Sequence, residues 1–240
     1  MQDFTIRTEM ALGSEALNRL SQAHVAVFGL GGVGSWAAEA LARAGVGALT
    51  LVDSDTVSLS NLNRQLCALR STLGRDKAQV MAERILDINP TCRVCPLCLL
   101  YTEQDKARFF DVRYDAIIDA IDLVSCKLSL IQTAHDLSIP CISALGTGNK
   151  LDPSQFSVTD IADTTNCPLA RVVRKELRSR GILHHRVVFS PEEPLTPLPL
   201  ESPPPGRRSI PASVSWVPPV AGFLLAGAVV QDLLDAGRNA

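Results

Sequence analysis

A cluster of glycines directly after an apolar stretch is the feature that most limits how this chain can fold. Residues 25–28 are apolar and partly β-branched, as a buried parallel strand requires, and residues 35–44 are rich in helix-forming residues. Four glycines lie between them: Gly29, Gly31, Gly32 and Gly34. Glycines let the backbone turn sharply and approach a ligand, while N–H groups at the start of the next helix face an anion such as phosphate. The sequence therefore predicts a nucleotide-binding strand–turn–helix unit.

The rest of the first 160 residues continues this alternation of strands and helices. A second apolar strand, residues 49–52, ends at Asp53, where a doubly wound fold places the group that holds a ribose. Further amphipathic helices and short apolar strands are predicted at 77–89, 114–120, 126–138, 140–144 and 155–159. This order predicts a Rossmann-like, doubly wound α/β fold whose mostly parallel sheet is covered on both faces.

The polar segment after the second strand argues against a plain dinucleotide-binding protein. Residues 53–65, DSDTVSLSNLNRQ, supply two carboxylates, two asparagines, an arginine and a glutamine. Such a set could hold a triphosphate and its magnesium, with Arg64 neutralising charge. The glycine turn alone leaves nicotinamide, flavin and other nucleotide sites open. A nicotinamide-dependent oxidoreductase is disfavoured because Arg64 and Lys77 at this spacing have no purpose there.

At these residues the chain resembles the adenylating family that activates ubiquitin-like proteins and includes enzymes of molybdopterin and thiamine biosynthesis. Over roughly residues 4–160 the motifs GLGGVG, DSDTVSLSNLNRQ, GRDKAQVMAERILDINP and IIDAIDLV match in order. The resemblance implies that ATP is bound by Gly31, Gly32, Gly34, Asp53, Asp55, Asn61, Arg64, Gln65 and Lys77. It also implies that Arg64, Lys77 and Asp122 are catalytic and that Mg²⁺ lies near Asp122. A solvated helix lysine and a helix N-cap are the alternative roles of Lys77 and Asp122.

Arg7 in FTIRTEMALG resembles an arginine that reaches across a dimer in that family to the neighbouring subunit's ATP. The resemblance therefore implies a homodimer. A solvated surface arginine is the alternative interpretation, and the sequence does not separate the two.

Three further phrases are similar to the tRNA threonylcarbamoyladenosine dehydratases within this family: GGVGSWAAEALARAGVG, ALGTGNKLDPSQFSVTDI and CPLARVVRKELRSRGI. This likeness implies that ATP activates the threonyl carboxylate of the modified adenosine at tRNA position 37, and that a ring then closes with net loss of water. The alternative is an adenylating enzyme for a ubiquitin-like sulfur carrier, with a sulfur-transfer protein as partner. The basic helix described next weakens that alternative.

After residue 160 the composition changes, which predicts an adenylation domain over 1–160 and a C-terminal extension over 161–240 packed on it. Six lysines or arginines occur between Arg171 and Arg186 against a single Glu176, in a chain of net charge −2. Four of them fall close to one face of a predicted helix and are candidate contacts to RNA phosphates, although such a run is usually a solvated face: Arg171, Arg174, Lys175 and Arg178.

Two more segments complete the extension. Ten prolines occur over 190–219, including Pro203–Pro205, so residues 190–211 are expected to form an extended, partly mobile loop. This loop either closes over the active site or is inert, and the sequence does not separate the two. An apolar helix over about 220–234 is expected to pack on the sheet or at a dimer interface rather than to span a membrane.

The cysteines and the N-terminus indicate a cytoplasmic protein without zinc. Seven cysteines in an α/β pattern suit free thiols in a reducing compartment, and the charged first residues contain no apolar signal core. Cys92, Cys95 and Cys98 have the spacing CxxCxxC, but residues 93–101, RVCPLCLLY, are apolar and predicted as a strand. On a strand the first two cysteines point to opposite faces. Zinc-binding members of the family carry two CxxC pairs near the C-terminus, which are absent here. Cys167 begins a helix and is either a catalytic thiol or a small buried hydrophobe.

Overall fold

A computed structural model describes residues 4–200 and 210–236 of the protein. A seven-stranded sheet in the order β3-β2-β1-β4-β5-β7-β6 forms its centre, and every neighbouring pair is parallel except β6 with β7. The strands are β1 (His24–Phe28), β2 (Ala48–Val52), β3 (Arg93–Leu97), β4 (Ala116–Asp119), β5 (Cys141–Ala144), β6 (Ser157–Asp160) and β7 (Arg186–Phe189). The predicted doubly wound α/β fold is confirmed.

The described residues also form seven α-helices. They are α1 (Ile6–Leu12), α2 (Ser14–Gln22), α3 (Gly34–Ala44), α4 (Lys77–Ile88), α5 (Val124–Asp136), α6 (Pro168–Ser179) and α7 (Val217–Asp235). The helices α1 and α2 are separated by Gly13, whose φ of 87° is incompatible with a continuous helix.

The strand β7 is the one element of the sheet that the sequence pattern did not predict. It begins at Arg186, the last residue of the basic run that was assigned to the C-terminal extension, and it lies between β5 and β6. As a result β6 becomes an antiparallel edge strand. The segment after residue 160 thus contributes to the same sheet, and Val173 and Leu177 of α6 pack with Val187 of β7.

Helix α7 packs mainly on α3 and also against the sheet. Gly222 makes the approach possible, because a Cβ atom there would lie 2.5 Å from the Val33 carbonyl oxygen and 3.0 Å from Trp36 Cβ. Val217, Ala221 and Leu225 are fully buried in the same core. By length and composition this 19-residue helix, of mean hydropathy 1.6, could cross a membrane, but half of its most apolar window is buried inside the protein. The helix is therefore part of the hydrophobic core of the described residues.

Candidate active site

The turn between β1 and α3 is shaped by glycines that serve different purposes. Gly29 has a φ of 86°, and a Cβ atom there would lie 2.6 Å from the Ala120 carbonyl oxygen. A Cβ atom on Gly34 would lie only 1.8 Å from the Gly29 carbonyl oxygen. At Gly31 the nearest atom to such a Cβ is Gln65 Nε2 at 3.8 Å. Gly29 and Gly34 therefore permit close packing of strand and helix, whereas Gly31 leaves space for a ligand.

That space belongs to a cavity of about 300 Å³ at the carboxyl ends of β1, β2 and β4. In an open α/β sheet this edge is where ligands bind. Eight of the predicted site residues line the cavity: Gly31, Gly32, Asp53, Asp55, Arg64, Gln65, Lys77 and Asp122. These residues come from four separate parts of the chain, so the fold brings together the motifs that the sequence presented one after another.

Asp53 ties the end of β2 to the glycine turn. Its Oδ2 accepts a hydrogen bond from the Leu30 N–H at 2.6 Å, and its Oδ1 accepts one from the Asp55 N–H at 2.8 Å. Burial raises the pKa of the Asp53 carboxyl, while Lys77 and the two N–H donors act against this effect. A carboxylate oxygen can accept more than one hydrogen bond, so Asp53 can still accept from ribose hydroxyls.

The two cationic side chains of the cavity are held in different ways. Lys77, at the start of α4, is 4% exposed, and its Nζ lies 2.8 Å from Oδ2 of Asp55. The guanidinium of Arg64 donates through Nη1 to the Ser60 carbonyl at 3.0 Å and to Asn63 Oδ1 at 2.8 Å. Partial burial lowers the pKa of Arg64 from its ordinary value without removing its charge. Both cations can contact phosphate oxygens in the cavity.

Asp122 lies in the turn between β4 and α5, and the buried carboxylate of Asp119 holds this turn in place. Asp119 ends β4 and is fully buried, as is its partner Lys127, whose Nζ lies 2.6 Å from Asp119 Oδ2. The other carboxylate oxygen of Asp119 accepts from the Ile121 N–H at 3.1 Å. The N-cap of α5 is Leu123, so Asp122 does not have the N-cap role that the sequence left open.

Three predicted ATP-binding residues lie outside the cavity. Gly34 is buried against Gly29, as described above. Asn61 is nearly buried and its Oδ1 accepts from the Ser58 N–H at 3.1 Å. It therefore shapes the polar segment 53–65, which we name the polar arm, rather than facing the cavity. Arg7 is exposed on α1, and its hydrogen-bond contact is to Met10 Sδ at 4.0 Å within the same helix.

The sequence did not indicate two further groups that line the cavity. One is apolar and follows β3: Leu99, Leu100 and Tyr101. Because β3 is parallel to β2 and lies beside it, strand order alone would have placed the residues after β3 at the edge of the sheet where the cavity lies. The other group is Thr147, Gly148, Pro211, Ala212, Ser213 and Pro218, which come from the loop after β5 and from the chain leading into α7. No local pattern points to these contacts.

The proline-rich segment is attached to the domain in its described part. Lys150, which is almost fully buried, donates to the Glu192 carbonyl, and the Glu192 carboxylate accepts from the Leu151 and Asp152 N–H groups at 2.9 and 3.1 Å. Residues 192–195 thus lie against the loop after β5. The Pro203–Pro205 run lies outside the described residues.

The basic helix presents three of its four candidate cations to solvent: Arg171, Lys175 and Arg178. Arg174 is half-buried and donates through Nη1 to the Thr164 carbonyl and hydroxyl, both at 2.6 Å. Its guanidinium therefore holds the turn before α6 and is less available to RNA than the sequence suggested.

The cysteines that the sequence analysis considered differ in their exposure. Cys92 is buried, whereas Cys95 and Cys98 are exposed. Cys167 is buried at the N-cap of α6, where Sγ accepts from the Ala170 N–H at 3.4 Å, and it does not line the cavity. In the described ranges no group of three or more His, Cys, Asp or Glu side chains is arranged to hold a metal ion.

A second, more open cavity of about 940 Å³ lies away from this chemistry. Ala23, Asp115 and Pro140 line it, and these residues immediately precede β1, β4 and β5. It is therefore at the amino ends of the strands, where an open α/β sheet does not place its ligand. The smaller cavity at the carboxyl ends is the candidate active site.

The fold and the cavity define an ATP-using enzyme of the adenylating type, and comparison with known proteins agrees. The chain belongs to the ThiF family, whose family model matches residues 6–237.

Among its relatives is the tRNA threonylcarbamoyladenosine dehydratase of Bacillus subtilis (strain 168), which is 45% identical over 237 residues, covering 95% of this chain and 93% of the relative. The enzyme of the same name from Escherichia coli (strain K12) is 46% identical over 193 residues, covering 77% of this chain and 72% of the relative. A crystal structure of the E. coli enzyme in complex with ATP matches with a TM-score of 0.88 and 39% identity, over 98% of this chain and 95% of that one.

Proposed function

We propose that this protein uses ATP to activate the threonylcarbamoyl carboxylate of the modified adenosine at position 37 of tRNA, and that ring closure then dehydrates this nucleoside. The observation that carries the proposal is the cavity in which eight residues of the adenylation motifs meet. Similarity to tRNA dehydratases over nearly the whole chain supports the choice of substrate. The sulfur-carrier alternative is less well supported, because these relatives share both the N-terminal domain and the extension.

The chemistry follows from the charge that develops during transfer of AMP. A carboxylate oxygen of the substrate attacks the α-phosphate, pyrophosphate leaves, and the carboxylate becomes an activated acyl group. Gly31 leaves room for the phosphates, Gly32 lets Arg64 and Pro218 pack closely on the glycine turn, and Asp53 accepts hydrogen bonds from the ribose. Lys77 and Arg64 stabilise the added negative charge on the phosphates, which is the main contribution such fixed donors make to catalysis.

Magnesium fits this site as a companion of the triphosphate. One or two carboxylates together with substrate phosphates and water commonly complete its coordination in proteins. Asp122 and Asp55 are the exposed carboxylates that line the cavity. When bound, the ion would neutralise charge on the triphosphate and on the departing pyrophosphate.

The tRNA is expected to contact the exposed cations of α6. Arg171, Lys175 and Arg178 lie on the surface in an otherwise mildly acidic chain, and contacts to RNA phosphates need no sequence-specific geometry. A homodimer in the cytoplasm is part of the same proposal. The large apolar side chains exposed on and beside α1, such as Phe4, Met10 and Leu12, support the dimer, and seven free cysteines suit a reducing compartment.

The deciding experiment is mass spectrometry of nucleosides from tRNA that carries threonylcarbamoyladenosine, after treatment with the protein and magnesium-ATP. The expected result is an ATP-dependent loss of one water from that nucleoside. Lys77→Ala is expected to abolish the change, and Lys106→Ala, an exposed lysine outside the cavity, is the matched control. An unchanged nucleoside together with ATP–pyrophosphate exchange would instead favour a carrier protein as substrate.

A further inference from the structure

Asn149, in the loop after β5, connects three distant parts of the chain around the cavity. Its backbone N–H donates to the Ala212 carbonyl at 2.8 Å, and its side-chain Oδ1 accepts from the Ala212 N–H at 2.7 Å. Its own carbonyl accepts from the Leu195 N–H at 2.9 Å. Asn149 has a φ of 60°, a left-handed conformation that asparagine tolerates better than most residues. One residue thus fixes both Leu195 and Ala212 to the loop.

Residues 211–213, which we name the strap, form part of the cavity wall. The strap lies directly on Gly148, where a Cβ atom would be 2.8 Å from Pro211 Cβ. Asn63 of the polar arm donates through Nδ2 to the Ser213 carbonyl at 3.0 Å. The strap is therefore attached on one side to the loop after β5 and on the other to the arm that carries Arg64.

The strap offers few polar groups to water. Both backbone groups of Ala212 are bonded to Asn149, the Ser213 carbonyl is bonded to Asn63, and Pro211 has no N–H. A wall in which several hydrogen-bonding groups are already occupied attracts less ordered water. Such a wall matters most when the reaction includes an intermediate that water can destroy.

The proposed function, on which this inference rests, has such an intermediate. Once the substrate carboxylate is joined to AMP, two nucleophiles compete for its acyl carbon. If an atom of the carbamoyl group attacks, its new bond to the acyl carbon closes the ring, AMP leaves as the acyl–oxygen bond breaks, and an N–H proton of the substrate is released. If water attacks, the carboxylate is restored, AMP leaves, both protons of the water are released, and the ATP has been consumed without product.

We propose that Asn149 is a positioning residue that holds the strap over the cavity and keeps water from the activated carboxylate. It does not touch the reacting atoms. Its effect is on the partition between ring closure and hydrolysis, not on the transfer of AMP.

The test compares variants that change the Oδ1 bond alone. Asn149→Gly keeps the left-handed backbone and its two main-chain bonds but removes Oδ1, whereas Asn149→Asp keeps an acceptor oxygen at this position. Asn166→Gly is the matched control, because Asn166 also has a positive φ, of 53°, and its Nδ2 donates to Pro191 at 3.2 Å away from the strap. With modified tRNA and magnesium-ATP, AMP release and dehydrated nucleoside are measured together, and ATP–pyrophosphate exchange reports transfer of AMP.

We expect Asn149→Gly to raise the ratio of hydrolysis to ring closure about fivefold, the factor that corresponds to one net hydrogen bond of about 1 kcal/mol, at unchanged exchange. Asn149→Asp and Asn166→Gly are expected to keep the wild-type ratio. Gly148→Ala displaces Pro211 while keeping the Asn149 side chain, so it should raise the ratio as well, and it serves if Asn149→Gly fails to fold.

Equal losses of AMP release and of dehydration in Asn149→Gly, with the ratio unchanged, would overturn the inference and leave Asn149 a purely structural residue. A wild-type protein that forms neither AMP nor dehydrated nucleoside would instead overturn the proposed function itself. The two failures are therefore distinguishable.

Discussion

Gly31 and Gly34 both belong to the glycine motif, yet the structure predicts opposite consequences for replacing each by alanine. In Gly34→Ala the new Cβ would lie 1.8 Å from the Gly29 carbonyl oxygen, more than 1 Å closer than real Cβ atoms approach. The obstacle is backbone, so no side-chain rotation relieves it. In Gly31→Ala the nearest atom, Gln65 Nε2, is 3.8 Å away, an ordinary contact distance.

The sizes of the two effects follow from these distances. Overpacking a well-packed core costs about 1–3 kcal/mol, and a clash with backbone belongs at the upper end of that range. For a chain of this size a loss of about 3 kcal/mol lowers Tm by roughly 6–12 °C, which is the expectation for Gly34→Ala. Gly31→Ala should change Tm by no more than about 2 °C, because it creates no clash. Its methyl group instead occupies space at the phosphates, and ATP binding should weaken by a factor of about 10 or more.

The assay is thermal unfolding of each variant with and without magnesium-ATP. Gly34→Ala should melt early but retain the rise in Tm that ATP produces, since a ligand that binds the folded state stabilises it according to its affinity. Gly31→Ala should melt like the wild type without nucleotide and lose most of that rise. A Gly34→Ala protein with wild-type Tm, or a Gly31→Ala protein with an undiminished response to ATP, would refute the reasoning.

Three further substitutions test other parts of the structure. Lys127→Met leaves the fully buried Asp119 carboxylate unpaired and should cost about 3–5 kcal/mol in urea unfolding, and adding Asp119→Asn should restore most of it. Burial lowers the pKa of His185 to about 4, so between pH 6.5 and 4 the unfolded chain binds a proton that the folded chain does not. The free energy of unfolding should therefore fall by up to about 3 kcal/mol over this pH range. In His185→Gln, the free energy from urea unfolding at several pH values should depend less steeply on pH. Lys77→Met should slow ATP–pyrophosphate exchange by about 10²-fold or more while stability changes little, because its partner Asp55 is solvated.

Sequence patterns predicted those site residues whose position depends on local structure. Asp53 was found because a doubly wound fold places a ribose-binding group at the carboxyl end of its second strand. Asp122 also follows a strand of this sheet, but its role and that of Lys77 were assigned by resemblance to the motifs of the adenylating family. The same reasoning assigned Gly34 to the phosphates, since a motif does not distinguish a glycine needed for packing from one needed for a ligand. That distinction required the distance to the Gly29 carbonyl oxygen.

Contacts between distant segments were beyond the reach of pattern analysis. The strap meets Asn149 across more than sixty residues, and nothing in the composition of either segment indicates the other. Arg174 has the spacing of a surface cation, but its guanidinium is used by the turn that contains Thr164. Propensity and period describe one element at a time, so they cannot identify which side chains an incoming loop will occupy.

The Lys77–Asp55 pair shows how the cavity can hold a cation ready for a phosphate. The ammonium group is almost entirely buried, and an unpaired buried charge would be costly, so it requires a partner before the nucleotide arrives. The Asp55 side chain is 68% exposed and therefore loses little by returning to water. A triphosphate oxygen can replace it at Lys77 without leaving a buried carboxylate behind. Asp119 and Lys127, by contrast, are both completely buried, so their separation would leave two unpaired charges in the interior. The site thus combines one exchangeable ion pair that faces the ligand with one permanent pair that fixes the turn carrying Asp122.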